Sequence, residues 1–185
     1  MDTRSMILRA AFELFEEKPF KSVSAQRIAE RAGVSRKTLY NHFRDKYELM
    51  HVCYTRYVEE NILNGFTGSN IEHVNTGVFS FMMEHQRFFK NVFDVEGQDS
   101  FWDFLRRYST DFMTRVYLQN NNRTELNEAE KLSLLFIVEG SLAVCKQIIL
   151  ENTDMTPEAL SKLMDELIPG KYRNLPEESQ KGMTD

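Results

Sequence analysis

Apolar residues in this chain recur every third or fourth position over long stretches and almost never alternate with polar ones, a period that suits helices rather than strands. Breakers are few, with 4 prolines and 8 glycines in 185 residues, so long uninterrupted elements are allowed. The chain is therefore expected to be all-α. Ile7, Ala11, Leu14 and Phe15 share one face of a first helix over about residues 5–18, and Pro19 ends it because proline lacks the N–H for the next backbone bond. Ser24 is placed to cap a short second helix carrying Ile28 and Ala29 inward, Gly33 to turn the chain, and Ser35 to cap a third helix around Leu39. Asp45 opens a fourth helix, with Glu48 in the capping-box position, which runs to about residue 63 before Gly65 and Gly68. Further helices are expected near 70–84, 85–94, 99–119, 127–152 and 157–168, the last behind Thr156-Pro157. From Pro169 the sequence is polar and is expected to be a disordered tail.

The net charge of −5 hides an asymmetry. Residues 1–50 hold ten Lys and Arg against seven acids, a balance of +3, so the remainder carries −8. A basic head on an acidic body suits a local contact with a polyanion. The two cysteines, Cys53 and Cys145, form no CxxC pair and fit a reduced compartment. No signal-like apolar segment and no run of about 18 uncharged apolar residues is visible, so a soluble, cytoplasmic protein with no membrane partner is expected.

Two short helices joined at a glycine turn, the second studded with polar and basic residues and braced by an amphipathic helix, meet the requirements of a helix-turn-helix DNA reader. The run Ile28-Ala29-Glu30-Arg31-Ala32-Gly33-Val34-Ser35-Arg36-Lys37-Thr38-Leu39-Tyr40-Asn41-His42-Phe43-Arg44-Asp45-Lys46 resembles the TetR-type (TetR/AcrR-like) transcriptional regulators. That resemblance covers about residues 5–50. Phe136-Ile137-Val138-Glu139-Gly140-Ser141-Leu142 is similar to the matching stretch of a branch of these regulators common in Firmicutes. It implies a helix-turn-helix head over 1–50, a helical regulatory and dimerisation body over 51–168, and a tail over 169–185. Residue by residue it puts Arg36, Lys37 and Asn41 toward base edges, with Gln26 reaching in from the second helix. Arg or Lys can donate to guanine O6 and N7, and Asn or Gln can pair with adenine. Thr38, Tyr40, His42 and Lys46, with Ser24, are expected to hold the DNA backbone.

In the body, apolar residues mark one side of the helix from Asn127 and of the helix after it. Leu135, Leu142, Ile149, Leu160, Leu163 and Leu167 are the positions expected at a homodimer interface, because in the resembled family the last two long helices pair with their mates. Such a dimer would read an inverted-repeat operator, as a repressor released by an effector. The middle of the chain is rich in aromatic residues and methionine; Trp102 and Tyr108, each an apolar ring with a polar handle, are the candidates for an effector pocket. The effector is unnamed. An alternative is a co-regulator of the same fold whose body binds a protein partner instead of a small molecule. No GxSxG, HExxH, P-loop or dinucleotide fingerprint occurs, and the four histidines show no metal-ligand spacing with cysteine, so neither an enzyme, nor a cofactor, nor a metal site is expected.

Overall fold

The computed structural model describes residues 2–64, 66, 71–97 and 99–172, apart from the side chains of 71, 72 and 171. Gly65, Gly68 and the tail from residue 173 on lie outside the described residues. The described residues form helices α1 (Thr3–Glu17), α2 (Ala25–Ala32), α3 (Arg36–His42), α4 (Lys46–Asn61), α5 (Ile71–Glu84), α6 (Gln86–Phe93), α7 (Phe101–Asn120), α8 (Glu128–Glu151) and α9 (Pro157–Leu167), with no strand among them. Two 3-10 turns, Phe20–Ser22 and Gly170–Tyr172, add to these.

Most helix ends have a local cause. Asp2, Ser24, Ser35, Asn127 and Thr156 each accept a hydrogen bond from a backbone N–H in the first turn of the helix they precede. Asp45 does the same for α4, its Oδ1 accepting from Tyr47 N and Glu48 N at 2.9 Å each. The expected capping box there is shifted by one residue, since Glu48 Oε2 takes the N–H of Arg44 instead.

Two compact units emerge, and the division differs from the sequence reading. The first combines residues 1–61 with 82–104, and the second combines 62–81 with 105–185. A boundary at residue 50 would fall inside α4, which continues without a break. α6 belongs with the head because its aromatic residues bury against α1. Phe12 stacks on Phe88 with centroids 4.8 Å apart, and Phe15 meets Phe88 and Phe20 at 6.2 and 5.3 Å. Asn91 Nδ2 fastens the same contact by donating to the Phe15 carbonyl at 2.8 Å, at the end of α1.

In the second unit, Tyr117, Leu134, Ile168 and Tyr172 form a buried cluster joined by Met113, Leu126 and Ile137. The expectation of disorder from Pro169 is therefore corrected for its first residues: Tyr172 is buried against Tyr117, which gives the chain an apolar reason to stay. Glu130 anchors the turn into α8, accepting from Arg123 Nη1, Tyr117 Oη (2.9 Å) and Asn127 N (2.8 Å). The Arg123 guanidinium, then the Asn127 amide, hold its carboxyl down at about 2.

α8 carries an 18-residue stretch long and apolar enough to cross a membrane by length and composition, yet only a third of that stretch is buried. Leu132, Phe136, Gly140, Ala143 and Leu150 follow one another at three-, four- and seven-residue steps along its exposed side. Phe136 is 80% exposed and Leu132 66%, while Leu167 on α9 is 67% exposed. Of the six positions expected at a subunit interface, Leu135, Leu163 and Leu167 are exposed. Leu142, Ile149 and Leu160 are corrected: at 8%, 2% and 2% exposure they lie inside their own unit, because α8 is apolar on both faces and the inward face takes them.

Candidate nucleic-acid interface

The first unit builds a two-helix reader from its turn outward. Gly33 sits at φ +68°, a left-handed conformation that costs an L side chain energy, and lets the Val34 amide return to the Ala29 carbonyl at 2.9 Å. Ser35 then caps α3, accepting from Thr38 N at 3.0 Å and sharing a 2.9 Å bond with the Thr38 hydroxyl. Leu39 and Phe43 are buried, which fixes the rotation of α3 and leaves Arg36, Lys37, Tyr40 and Asn41 exposed. Gln26 is exposed on α2, and Ser24 at its cap; Thr38 and His42 are half-buried at the edge.

Among the exposed side chains, Arg36 and Gln26 hold partners within their own helices. Arg36 lies over the Tyr40 ring, 5.6 Å from its centroid, and Gln26 Nε2 donates to Glu30 Oε1 at 2.6 Å. Both partners are exposed, so exchanging them for a base edge costs little. Lys46 is placed differently from the other expected contacts. Its ammonium donates to the Phe20 and Val23 carbonyls at 3.0 Å each and lies 4.3 Å from the Phe20 centroid. Burial holds its pKa below the usual lysine value. Two of its three donors thus tie α4 to the segment between α1 and α2.

Several arginines of this unit are already paired. Arg9 pairs with Glu13, Arg31 with Glu17, Arg44 with Asp45 and Arg56 with Glu60, all at 2.8–2.9 Å. Arg36 and Lys37 on α3, Arg27 on α2 and Arg4 on α1 are exposed and form no ion pair among the described residues. Glu13, Glu17, Asp45 and Glu60 are thus taken up away from α3, which keeps its positive charge. Sequence reasoning passed over Arg4 and Arg27; the signal for Arg27 is its place beside Gln26 on the outward side of α2.

Trp102 packs edge-on against Phe93 at 6.1 Å in the first unit, and Tyr108 belongs to the second. Neither lines the open cleft of about 370 Å3 in the first unit, whose walls include Leu8, Phe12, Cys53, Tyr57 and His85. The Cys53 and Cys145 thiols are both buried, which pushes each up to about 12 and keeps them protonated and unreactive.

Residues 7–53 match the sequence family described as "Bacterial regulatory proteins, tetR family", and residues 69–170 match that described as "Transcriptional regulator C-terminal region". Among curated proteins, the chain is 38% identical over 64 residues to the HTH-type transcriptional activator FasR of Mycolicibacterium smegmatis, covering 35% of this chain and 29% of that protein. It is 38% identical over 66 residues to the HTH-type transcriptional regulator SAB2452 of Staphylococcus aureus, covering 36% and 33%. The match thus spans about a third of the length of these relatives. Among solved structures, the dihydroxyacetone kinase operon activator DhaS aligns with a TM-score of 0.65 at 18% identity, covering 90% of this chain and 92% of that one. The fatty acid degradation regulator FadR from Bacillus halodurans aligns with a TM-score of 0.66 at 16% identity, covering 90% and 97%. At such identities the shared feature is the fold.

Proposed function

The chain belongs to the TetR family of bacterial regulatory proteins, and from that premise we propose that it acts as a homodimeric transcriptional regulator that reads an inverted-repeat operator through α3. The observation that carries this reading is the charge arrangement of the head: Arg9, Arg31, Arg44 and Arg56 are matched to carboxylates and Lys46 to two carbonyls, while the exposed side of the helix-turn-helix keeps Arg27, Arg36 and Lys37 out of any ion pair among the described residues. Solvated cations beside a rigid, capped helix are what a polyanion can take up with release of its counterions. Arg36, Lys37 and Asn41 are the base-reading set, with Gln26 from the side. Ser24, Thr38, Tyr40 and His42 set register on the backbone, and Lys46, with one donor beyond its two carbonyls, joins them from α4.

The exposed stripe of α8, with Leu135, Leu163 and Leu167, supports a dimer, since so large an apolar face in water calls for a partner and Gly140 lets a second helix come close. Two such heads about one DNA turn apart read an inverted repeat that one seven-residue helix reads too weakly. We assign repression to it, by an operator overlapping a promoter, with release by an effector that binds the body; Tyr108, in the second unit, is its first candidate.

Selection of bound duplexes from a random pool at two salt concentrations tests the reading. An enriched inverted repeat with steeply salt-dependent binding is expected. Lys37→Ala should then weaken that duplex by roughly 5- to 150-fold, more than a random one, because a base contact contributes about 1–3 kcal/mol. Equal losses on both duplexes would remove Lys37 from the base-reading set, and no enrichment would sink the reading.

A further inference from the structure

We propose that Arg4, on the first turn of α1, is a phosphodiester-binding residue of the DNA face, held in place by the far end of the recognition helix. The inference rests on the DNA-reading assignment of α3. Its ground is a chain of contacts that starts at the cap of α1. Asp2 accepts from Ser5 N at 2.9 Å and from Ser5 Oγ at 3.0 Å, and Arg56 of α4 donates to the same Ser5 hydroxyl at 2.9 Å. The turn carrying Arg4 is thereby fixed to α4. From it Arg4 Nη1 donates to the His42 carbonyl, at the C-terminal end of α3, at 3.2 Å. The guanidinium centre stands 4.5 Å from the centroid of Phe43, whose ring is buried and cannot follow a swinging side chain.

Stacking uses the flat face of a guanidinium and leaves its edge donors in plane. The bond to His42 takes one of five. Arg4 is exposed, so the rest of the fork faces water, fixed in direction by the two contacts it makes. A guanidinium with a set orientation and no carboxylate partner matches a phosphate better than a flexible surface lysine does. The carbonyl end of α3 would on its own repel a phosphate, and Arg4 reverses that sign where the chain passes Asn41 and His42. Thr38, capped near the start of α3, and Arg4 at its end would then hold backbone phosphates on either side of a helix about 10 Å long, fixing the register of the residues between them.

The test uses the full chain, wild type and Arg4→Met, Arg4→Gln and Arg4→Lys, against the selected duplex and a random one across a salt series. Arg4→Met is expected to stay folded and dimeric, to lose roughly tenfold in affinity for both duplexes, and to lower the salt slope by about one for each arginine removed. Should Arg4→Met melt early, Arg4→Gln keeps a donor for the His42 carbonyl while removing the charge, and the same slope change is expected. Arg4→Lys should restore most of the slope. An unchanged slope in both neutral variants overturns the proposal, whether or not affinity falls, since a mere brace for α3 would not alter the number of counterions released. If wild type selects an operator and Arg4→Met matches it, only the role of Arg4 fails; if wild type shows no salt-dependent duplex binding, the assignment of the face fails with it.

Discussion

Replacing Lys46 by methionine separates two roles for a lysine that the sequence assigns to DNA. In the folded protein its ammonium donates to the Phe20 and Val23 carbonyls at 3.0 Å each and lies against the Phe20 ring. Methionine keeps the stem and removes both bonds. A hydrogen bond to a charged group contributes about 1.5–3 kcal/mol when well formed, and partial exposure places these two toward the low end. Methionine also recovers part of the cost of holding a charge in a half-buried site, the cost that depresses the Lys46 pKa. The net loss is therefore about 2–3 kcal/mol, or a fall of about 4–12 °C in Tm for a chain of this size. Thermal unfolding followed by far-UV circular dichroism, without DNA, measures it, with Lys37→Ala as the exposed control that should melt with wild type. A Lys46→Met protein that also melts with wild type would refute the bracing argument. If it further showed a reduced salt slope on DNA, its third donor would be the one that counts.

Two other outcomes follow from the body. Phe136→Lys places a charge on the most exposed large apolar side chain of α8, so it should leave the fold intact yet shift the protein to monomer in light scattering at micromolar concentration; an unchanged dimer would move the interface elsewhere. Glu130 has a carboxyl held at about 2, well below its ordinary 4.5, so the stability it contributes is complete above about pH 4.5 and disappears as pH falls toward 2. Glu130→Gln should lower stability at neutral pH and flatten the acid limb of the stability profile, and a variant with the wild-type acid limb would show that the Arg123 and Tyr117 contacts do not act through the charge.

The helices themselves were legible in the sequence because their causes are local. Ser24, Ser35, Asp45 and Thr156 are caps whose partners lie two or three residues away, and Pro19 and Gly33 act on their own backbone, so spacing alone marks where α1 ends, where α2 begins and ends, and where α3, α4 and α9 begin. The outward set on α3 was legible for the same reason, since burying Leu39 dictates which neighbours face water. What depends on distant parts of the chain was not. Nothing near Lys46 in sequence says that its ammonium will meet carbonyls 23 and 26 residues earlier. Nothing near Arg4 points to a carbonyl 38 residues on. An apolar stripe at helical spacing likewise looks the same whether its own unit or another molecule covers it. Only packing decided that Leu142, Ile149 and Leu160 turn inward while Leu132, Phe136 and Leu167 stay exposed, because which apolar side of a helix is buried depends on what the rest of the chain brings against it.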